Sequence, residues 1–142
     1  MKCAIYPHDS LKDYKYVVVL SRFQGKLLLS RHKKRTTWET QGGHIEPGET
    51  PYMAACRELF EESGAQSFTL APLCDYYAQD DASHANGMVF SAQIDRMGAL
   101  PESEMAETRL FDVLPELLTY PGITPHLYRY LQEKEQAEAG AK

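Results

Sequence analysis

Apolar residues bunch in residues 16–23 (YVVVLSRF) and 26–31 (KLLLSR), with Gln24 and Gly25 between them. Short valine- and leucine-rich runs around such a two-residue break predict two strands joined by a tight turn. A basic polar segment, 32–37, follows, and 38–40 reads as a short strand leading into Gly42 and Gly43, where the backbone must bend or approach something closely. From Thr50 the pattern changes. Thr50 suits an N-cap, Pro51 the first helical position and Gly64 the residue just past the end, which predicts a helix over 51–63. Residues 68–77, interrupted by Pro72, and 88–94 read as strands around a polar loop, 79–87, and 110–113 as another strand. A short helix is expected over 116–120, and a second substantial one from Pro125 to about Glu133, with Leu127, Tyr130 and Leu131 on one side. Residues 135–142 are polar and expected to fray. The whole, 1–142, reads as one domain of the α/β class with a mixed sheet.

Composition narrows the function. The net charge of −5 argues against a surface built for duplex DNA, and a phosphate-bearing ligand would need cations between it and the protein. The three cysteines, Cys3, Cys56 and Cys74, are an odd number without zinc-ligand spacing, which argues against a disulfide framework and for a reduced, cytoplasmic setting. The apolar run 17–20 is too short to cross a membrane, so no membrane partner is expected. The apolar side of the C-terminal helix suits a core or a second subunit, which leaves a homodimer open.

The helix at 51–63 carries the chemistry. On a helical wheel Tyr52, Met53, Cys56, Leu59, Phe60 and Ser63 gather on one side, expected to seek the core, and Glu58, Glu61 and Glu62 on the other. A solvated face ordinarily mixes signs. Here Arg57 is the only cation in the helix, and three like charges at i, i+3 and i+4 repel one another unless an ion compensates them. Carboxylate oxygens suit a hard divalent cation, above all Mg²⁺, which uses one or two carboxylates plus substrate phosphates and water.

Gly43, five residues, Glu49, seven residues and then Arg57-Glu58-Leu59-Phe60-Glu61-Glu62-Ser63-Gly64-Ala65 resembles the Nudix box. Its strictly specified residues would coincide by chance in a chain of this length on the order of once in a million, so coincidence is set aside. The resemblance implies the Nudix fold, an α/β/α sandwich with a mixed sheet and a loop-helix-loop. It also implies a Mg²⁺-dependent (or Mn²⁺-dependent) hydrolase of nucleoside diphosphates linked to a second group. Glu61 and Glu62 would bind metal, Glu58 would be a ligand or the general base, and the carbonyl near Gly42 would complete the shell. Glu49 and Arg57 would pair to hold loop and helix in register, with Gly43 and Gly64 as structural supports. Many members recruit another glutamate from a distant loop; Glu104 sits most like that pattern, with Glu102 and Glu107 nearby. Ala65 stands where a larger aliphatic is usual, and Gln41 where proline often precedes the glycines, which would leave the loop less rigid at its entry.

Arg31, Lys33, Lys34 and Arg35 either meet a triphosphate by charge or form a solvated loop. Trp38, Tyr76 or Tyr77 could stack a nucleobase, although strand aromatics are more often core, and His84 reads as a turn residue. The expected partner is a small nucleotide, by default an ordinary or oxidised (deoxy)nucleoside triphosphate. The alternatives are the 5′-triphosphate end of RNA and a domain that senses a nucleotide without cleaving it.

Overall fold

The computed structural model describes residues 2–140. Nine elements follow one another as β1 (Lys2–Pro7), β2 (Tyr14–Phe23), β3 (Lys26–His32), β4 (Gln41–His44), α1 (Pro51–Ser63), β5 (Ala65–Gln79), β6 (His84–Met97), β7 (Met105–Phe111) and α2 (Thr124–Gly140). The strands form one sheet in the order β1-β5-β6-β2-β3-β7, with β4 also paired to β2. The β2–β6 pairing is parallel and the others are antiparallel, so the sheet is mixed.

The side-chain period of two along the central strands builds two cores. Val17 and Val19 of β2, with Met88, Phe90, Ala92 and Ile94 of β6, pack against Ala54, Ala55 and Leu59 of α1. Leu20 of β2 and Val89 of β6 turn to the other face, against Leu127, Tyr128 and Leu131 of α2. This is the α/β/α layering that the resemblance implied. Among the described residues no helix is long and apolar enough to cross a membrane.

The predicted hairpin closes through Gln24 and Gly25, both at positive φ (55° and 78°), which matches the twist of the flanking strands. Several expectations need correcting. β1 gave no clear signal; it lies at the sheet edge, paired with residues 74–79 of β5. Behind it, the buried Asp75 carboxylate accepts the amides of Asp9 (3.2 Å), Ser10 (2.8 Å) and Leu11 (2.9 Å) and the hydroxyl of Tyr14 (2.5 Å). The loop expected over 79–87 shrinks to 80–83, because His84, Ala85, Asn86 and Gly87 pair with Gln79, Ala78, Tyr77 and Tyr76. Pro72 does not end β5: β1 stops short of it, and the register slips between Pro72 and Cys74, so its missing N–H leaves no gap in the ladder.

Residues 38–40 form isolated bridges rather than a strand, and 116–120 form no helix. Trp38 N donates to Leu117 O and Thr119 N to Trp38 O, which holds 117–119 extended beside Trp38. The strand expected over 110–113 is the end of β7, which starts at Met105 and stops at Phe111, two strands away from β2. Helix α2 continues to Gly140, past the expected end near Glu133, with its last nine described residues exposed; residues 141 and 142 of the expected frayed tail lie outside the described residues.

Candidate active site

Helix α1 keeps its predicted bounds. Thr50 Oγ1 accepts from Met53 N (3.1 Å), Pro51 opens the first turn, and Gly64 ends it at φ 82° with its N–H bonded to Phe60 O (2.8 Å). The buried face is rotated from the one expected. Tyr52, Met53 and Phe60 are exposed, while Ala54, Ala55, Leu59 and Ser63 are buried and Glu58 and Glu62 turn inward. The cause is β4. Gly42 and Gly43 present no side chains, and the two carboxylates fill the space left: a Cβ on Gly43 would lie 2.7 Å from Glu58 Oε1, and Gly42 N donates to Glu62 Oε1 at 2.7 Å.

Arg57 ties the group together. Its Nε and Nη2 form a two-pronged pair with Glu49 (2.8 Å each), Nη1 reaches Glu58 (2.7 Å) and Glu61 (3.4 Å), and Nη2 also donates to His44 O (3.1 Å). Glu49 in turn accepts the amide of Glu46 (2.8 Å), so the loop between β4 and α1 is pinned to the helix. Those bonds hold the Glu49 carboxyl down at about 2, that from Arg57 contributing most. Burial pushes Glu58 up despite Arg57. Burial also lifts Glu62 to about 8 against the pull of the Gly42 amide, with the charges of Glu58, Glu39 and Glu104 adding to it.

These residues fit a divalent cation. A carboxyl as buried as Glu62, with one backbone donor and three acidic neighbours, lacks the positive charge that would keep it ionised. Among the described residues no group of three or more His, Cys, Asp or Glu side chains stands close enough together to hold a metal ion by itself, so the fit rests on the unmet charge of Glu62 and on donors that substrate and water would add. An all-oxygen, partly open donor set is what Mg²⁺ shares with substrate phosphates and water.

Behind the glycine strand lies a hollow of about 410 Å³, lined by Glu39, Gln41, Gly42, Gly43 and His44 on one side and by Tyr16, Tyr76 and Tyr120 among others. Gly42 and Gly43 are therefore the wall between carboxylates and hollow. The Tyr76 ring lies over Gly87, where a Cβ would come within 2.0 Å of it. His44 packs against Tyr16 with ring centroids 4.5 Å apart. A larger hollow of about 640 Å³, between Arg22, Leu27, Tyr128 and Arg129, contains none of the box residues.

Not every expected residue joins the site. Arg31, Lys33 and Arg35 are already engaged, by Glu107 (2.9 Å), Glu102 (3.1 Å) and Glu39 (3.0 Å). Glu104 is mostly exposed, 3.6 Å from His32, though close enough for its charge to act on Glu62. Trp38 is buried with Phe111 against its edge and Arg109 over its face (4.9 Å), and it is not among the hollow's lining residues; nor is Tyr77, which stacks on His84. His84, read as a turn residue, lines the hollow from β6. Sequence reasoning missed Glu39, a buried carboxylate facing the hollow, and the side chain of Gln41. Far from loosening the loop, Gln41 is fully buried and bonded to Ser21 (2.5 Å), Ser30 (2.9 Å) and Leu28 O (3.2 Å). No spacing in the sequence marks Glu39, and the place of Gln41 before the two glycines marks the residue without showing what its side chain binds.

Known proteins resemble this chain in sequence and in fold. The Bacillus subtilis protein provisionally described as the 8-oxo-dGTP diphosphatase YtkD is 35% identical over 108 residues, 74% of this chain and 66% of that one. An RNA pyrophosphohydrolase of Yersinia enterocolitica is 45% identical over 47 residues, 33% of this chain and 27% of its own. The chain thus spans just under two thirds of the first relative and about a quarter of the second. A crystal structure of a variant of the Bacillus subtilis pyrophosphohydrolase BsRppH superposes with a TM-score of 0.81 at 27% identity, covering 93% of this chain and 90% of that one. Residues 13–137 match the NUDIX domain, and with the box residues assembled around Arg57 the chain belongs to the Nudix hydrolase family.

Proposed function

We propose that the protein is a divalent-metal-dependent pyrophosphohydrolase that cleaves a phosphoric anhydride bond in a nucleoside triphosphate, ordinary or oxidised. The observation that carries this reading is the single glycine wall, with a carboxylate helix on one side and an aromatic-lined hollow on the other. Tyrosine and histidine rings offer flat apolar surface for a nucleobase. That would set the polyphosphate at the glycine strand. The 35% identity to a protein provisionally described as an 8-oxo-dGTP diphosphatase supports the same substrate class.

Glu58, Glu61 and Glu62, with the Gly42 carbonyl, would hold Mg²⁺ or Mn²⁺. When bound, the ion neutralises phosphate charge and lowers the pKa of an attacking water. Glu58, held by Arg57 beside Gly43, would serve either as a ligand or as the base that takes that water's proton. Arg57 orients Glu58 and Glu61 while Glu49 holds it from behind. Glu104, whose charge acts on Glu62, is a second candidate base, and Arg35 would have to exchange its pairing with Glu39 to meet phosphate.

A second reading is the 5′-triphosphate end of RNA, favoured by the 45% identity to an RNA pyrophosphohydrolase. Incubation with Mg²⁺ and a panel of nucleoside triphosphates, 8-oxo-dGTP, ADP-ribose, dinucleoside polyphosphates and 5′-triphosphorylated RNA, following phosphate and pyrophosphate release, separates the readings. Turnover of a nucleotide that disappears in Glu61→Gln is expected. Turnover of RNA alone moves the assignment to the second reading. Saturable binding with no product on any substrate makes the domain a sensor.

A further inference from the structure

Strands β2 and β3 part company beside the site. Their ladder runs from Phe23–Lys26 to Ser21–Leu28. Beyond it β2 takes β4 as its neighbour, from Val19–Gln41 to Tyr16–His44, while Ser30 of β3 exchanges backbone bonds with Glu39 (2.8 and 2.9 Å). Such a fork leaves polar groups that a regular ladder would have used, and buried polar groups need partners.

The Gln41 side chain fills this fork with all of its amide engaged. Nε2 donates to Leu28 O (3.2 Å) and Ser30 Oγ (2.9 Å), and Oε1 accepts from Ser21 Oγ (2.5 Å). Ser30 Oγ in turn donates a hydrogen bond to the backbone carbonyl of Glu62 (2.8 Å), in the last turn of α1. The residue after Gln41 is Gly42, whose N–H holds the carboxylate of that same Glu62 (2.7 Å). Glu62 is thus gripped twice from one point of β4: its backbone through Gln41 and Ser30, its carboxylate through Gly42.

We infer that Gln41 is a positioning residue for the Glu62 carboxylate, acting through Ser30 to fix the last turn of α1 against the glycine strand. Its catalytic consequence rests on the function proposed above; its structural one does not. A side-chain amide here does by hydrogen bonding what a stiffer backbone would do by restricting φ. The proposal matters because a ligand set displaced by about 1 Å loses on the order of a hundredfold in rate. Supporting hydrogen bonds of this kind are worth roughly 10–100-fold in metal affinity or activity.

The test compares Gln41→Leu, which keeps apolar bulk but removes the amide, with Ser30→Ala, which removes the hydroxyl bonded to Glu62 O. Three readouts are taken on folded protein: Mn²⁺ affinity from the free-ion EPR signal, exchange of the Gly42 amide in metal-free protein by NMR, and kcat against KM on whichever substrate the wild type turns over. Both variants are expected to exchange the Gly42 amide faster, to bind Mn²⁺ roughly tenfold or more weakly, and to lose kcat with KM within about twofold. Wild-type Mn²⁺ affinity and Gly42 exchange in both variants would overturn the inference. If Gln41→Leu does not fold, Ser30→Ala decides alone. A wild type that turns over nothing defeats the proposed function while amide exchange still tests the positioning role.

Discussion

The Glu58 carboxylate occupies the space that a side chain on Gly43 would need, for a Cβ there would lie 2.7 Å from Oε1. The neighbouring glycine is constrained differently: a Cβ on Gly42 would lie 2.3 Å from the backbone oxygen of Val17, and its φ is 154°. One clash is with the end of a flexible side chain and the other with a strand. Gly43→Ala is therefore expected to fold with stability within about 1 kcal/mol of wild type and to lose roughly 10–100-fold in kcat as Glu58 is displaced. Gly42→Ala is expected to lose about 3 kcal/mol or more, lowering Tm by roughly 10 °C. Thermal unfolding and steady-state kinetics on both separate the two effects; an active Gly43→Ala would show that Glu58 need not stay where it lies.

Arg57 and Glu49 form one unit, because the two-pronged pair is what aims the remaining guanidinium nitrogen at Glu58 and Glu61. Lysine cannot reproduce that fork. Arg57→Lys and Glu49→Gln are each expected to lower kcat about tenfold or more, and the double variant to do little worse than the poorer single one. Additive losses in a double-mutant cycle would mean that the two residues act separately.

How much of this was legible follows from where the information sits. Helix α1 could be bounded to the residue because Thr50, Pro51 and Gly64 act locally on the backbone. The two faces of the sheet were not legible, because Val17, Val18, Val19 and Leu20 are all apolar, and only the packing sends Val17 and Val19 to α1 and Val18 and Leu20 to the other side. Nor was the orientation of α1, since Tyr52, Met53 and Phe60 look like a core face until the helix is set against a strand of two glycines, which admits Glu58 and Glu62 instead. The carboxylates were recognisable by spacing on one helix. Glu39, Tyr16, Tyr76 and Tyr120 reach the hollow from four separate segments, and only the topology brings them together.

Asp75 offers a test of structure apart from chemistry. Its buried carboxylate accepts three amides and a tyrosine hydroxyl, all from residues 9–14, and so fastens the segment between β1 and β2. Asp75→Asn replaces one accepting oxygen with a donor that must face other donors. A loss of about 3 kcal/mol is expected, seen as a Tm lower by roughly 10 °C, with kcat at 20 °C within about twofold of wild type. An unchanged Tm would mean that the segment is held by its strand pairing alone.

Glu62 makes the metal-free protein sensitive to pH in a direction that can be worked out. Burial raises its carboxyl to about 8, against about 4.3 in an unfolded chain, so the folded state favours the neutral form. The stability that this proton supports is fully present below about pH 4.3 and is lost as pH rises through about 8, by at most about 5 kcal/mol. In the presence of a chelator, the urea midpoint of wild type relative to Glu62→Gln is expected to fall between pH 5 and pH 8, because the glutamine stays neutral throughout. Mg²⁺ should oppose that fall most strongly at the alkaline end, where the carboxylate is free to bind it, and its binding at pH 7 should release a proton, measurable by calorimetry in buffers of different ionisation enthalpy. A wild-type-to-variant difference that stays flat with pH would mean that Glu62 is already ionised without metal, and that its burial is offset by something other than a cation.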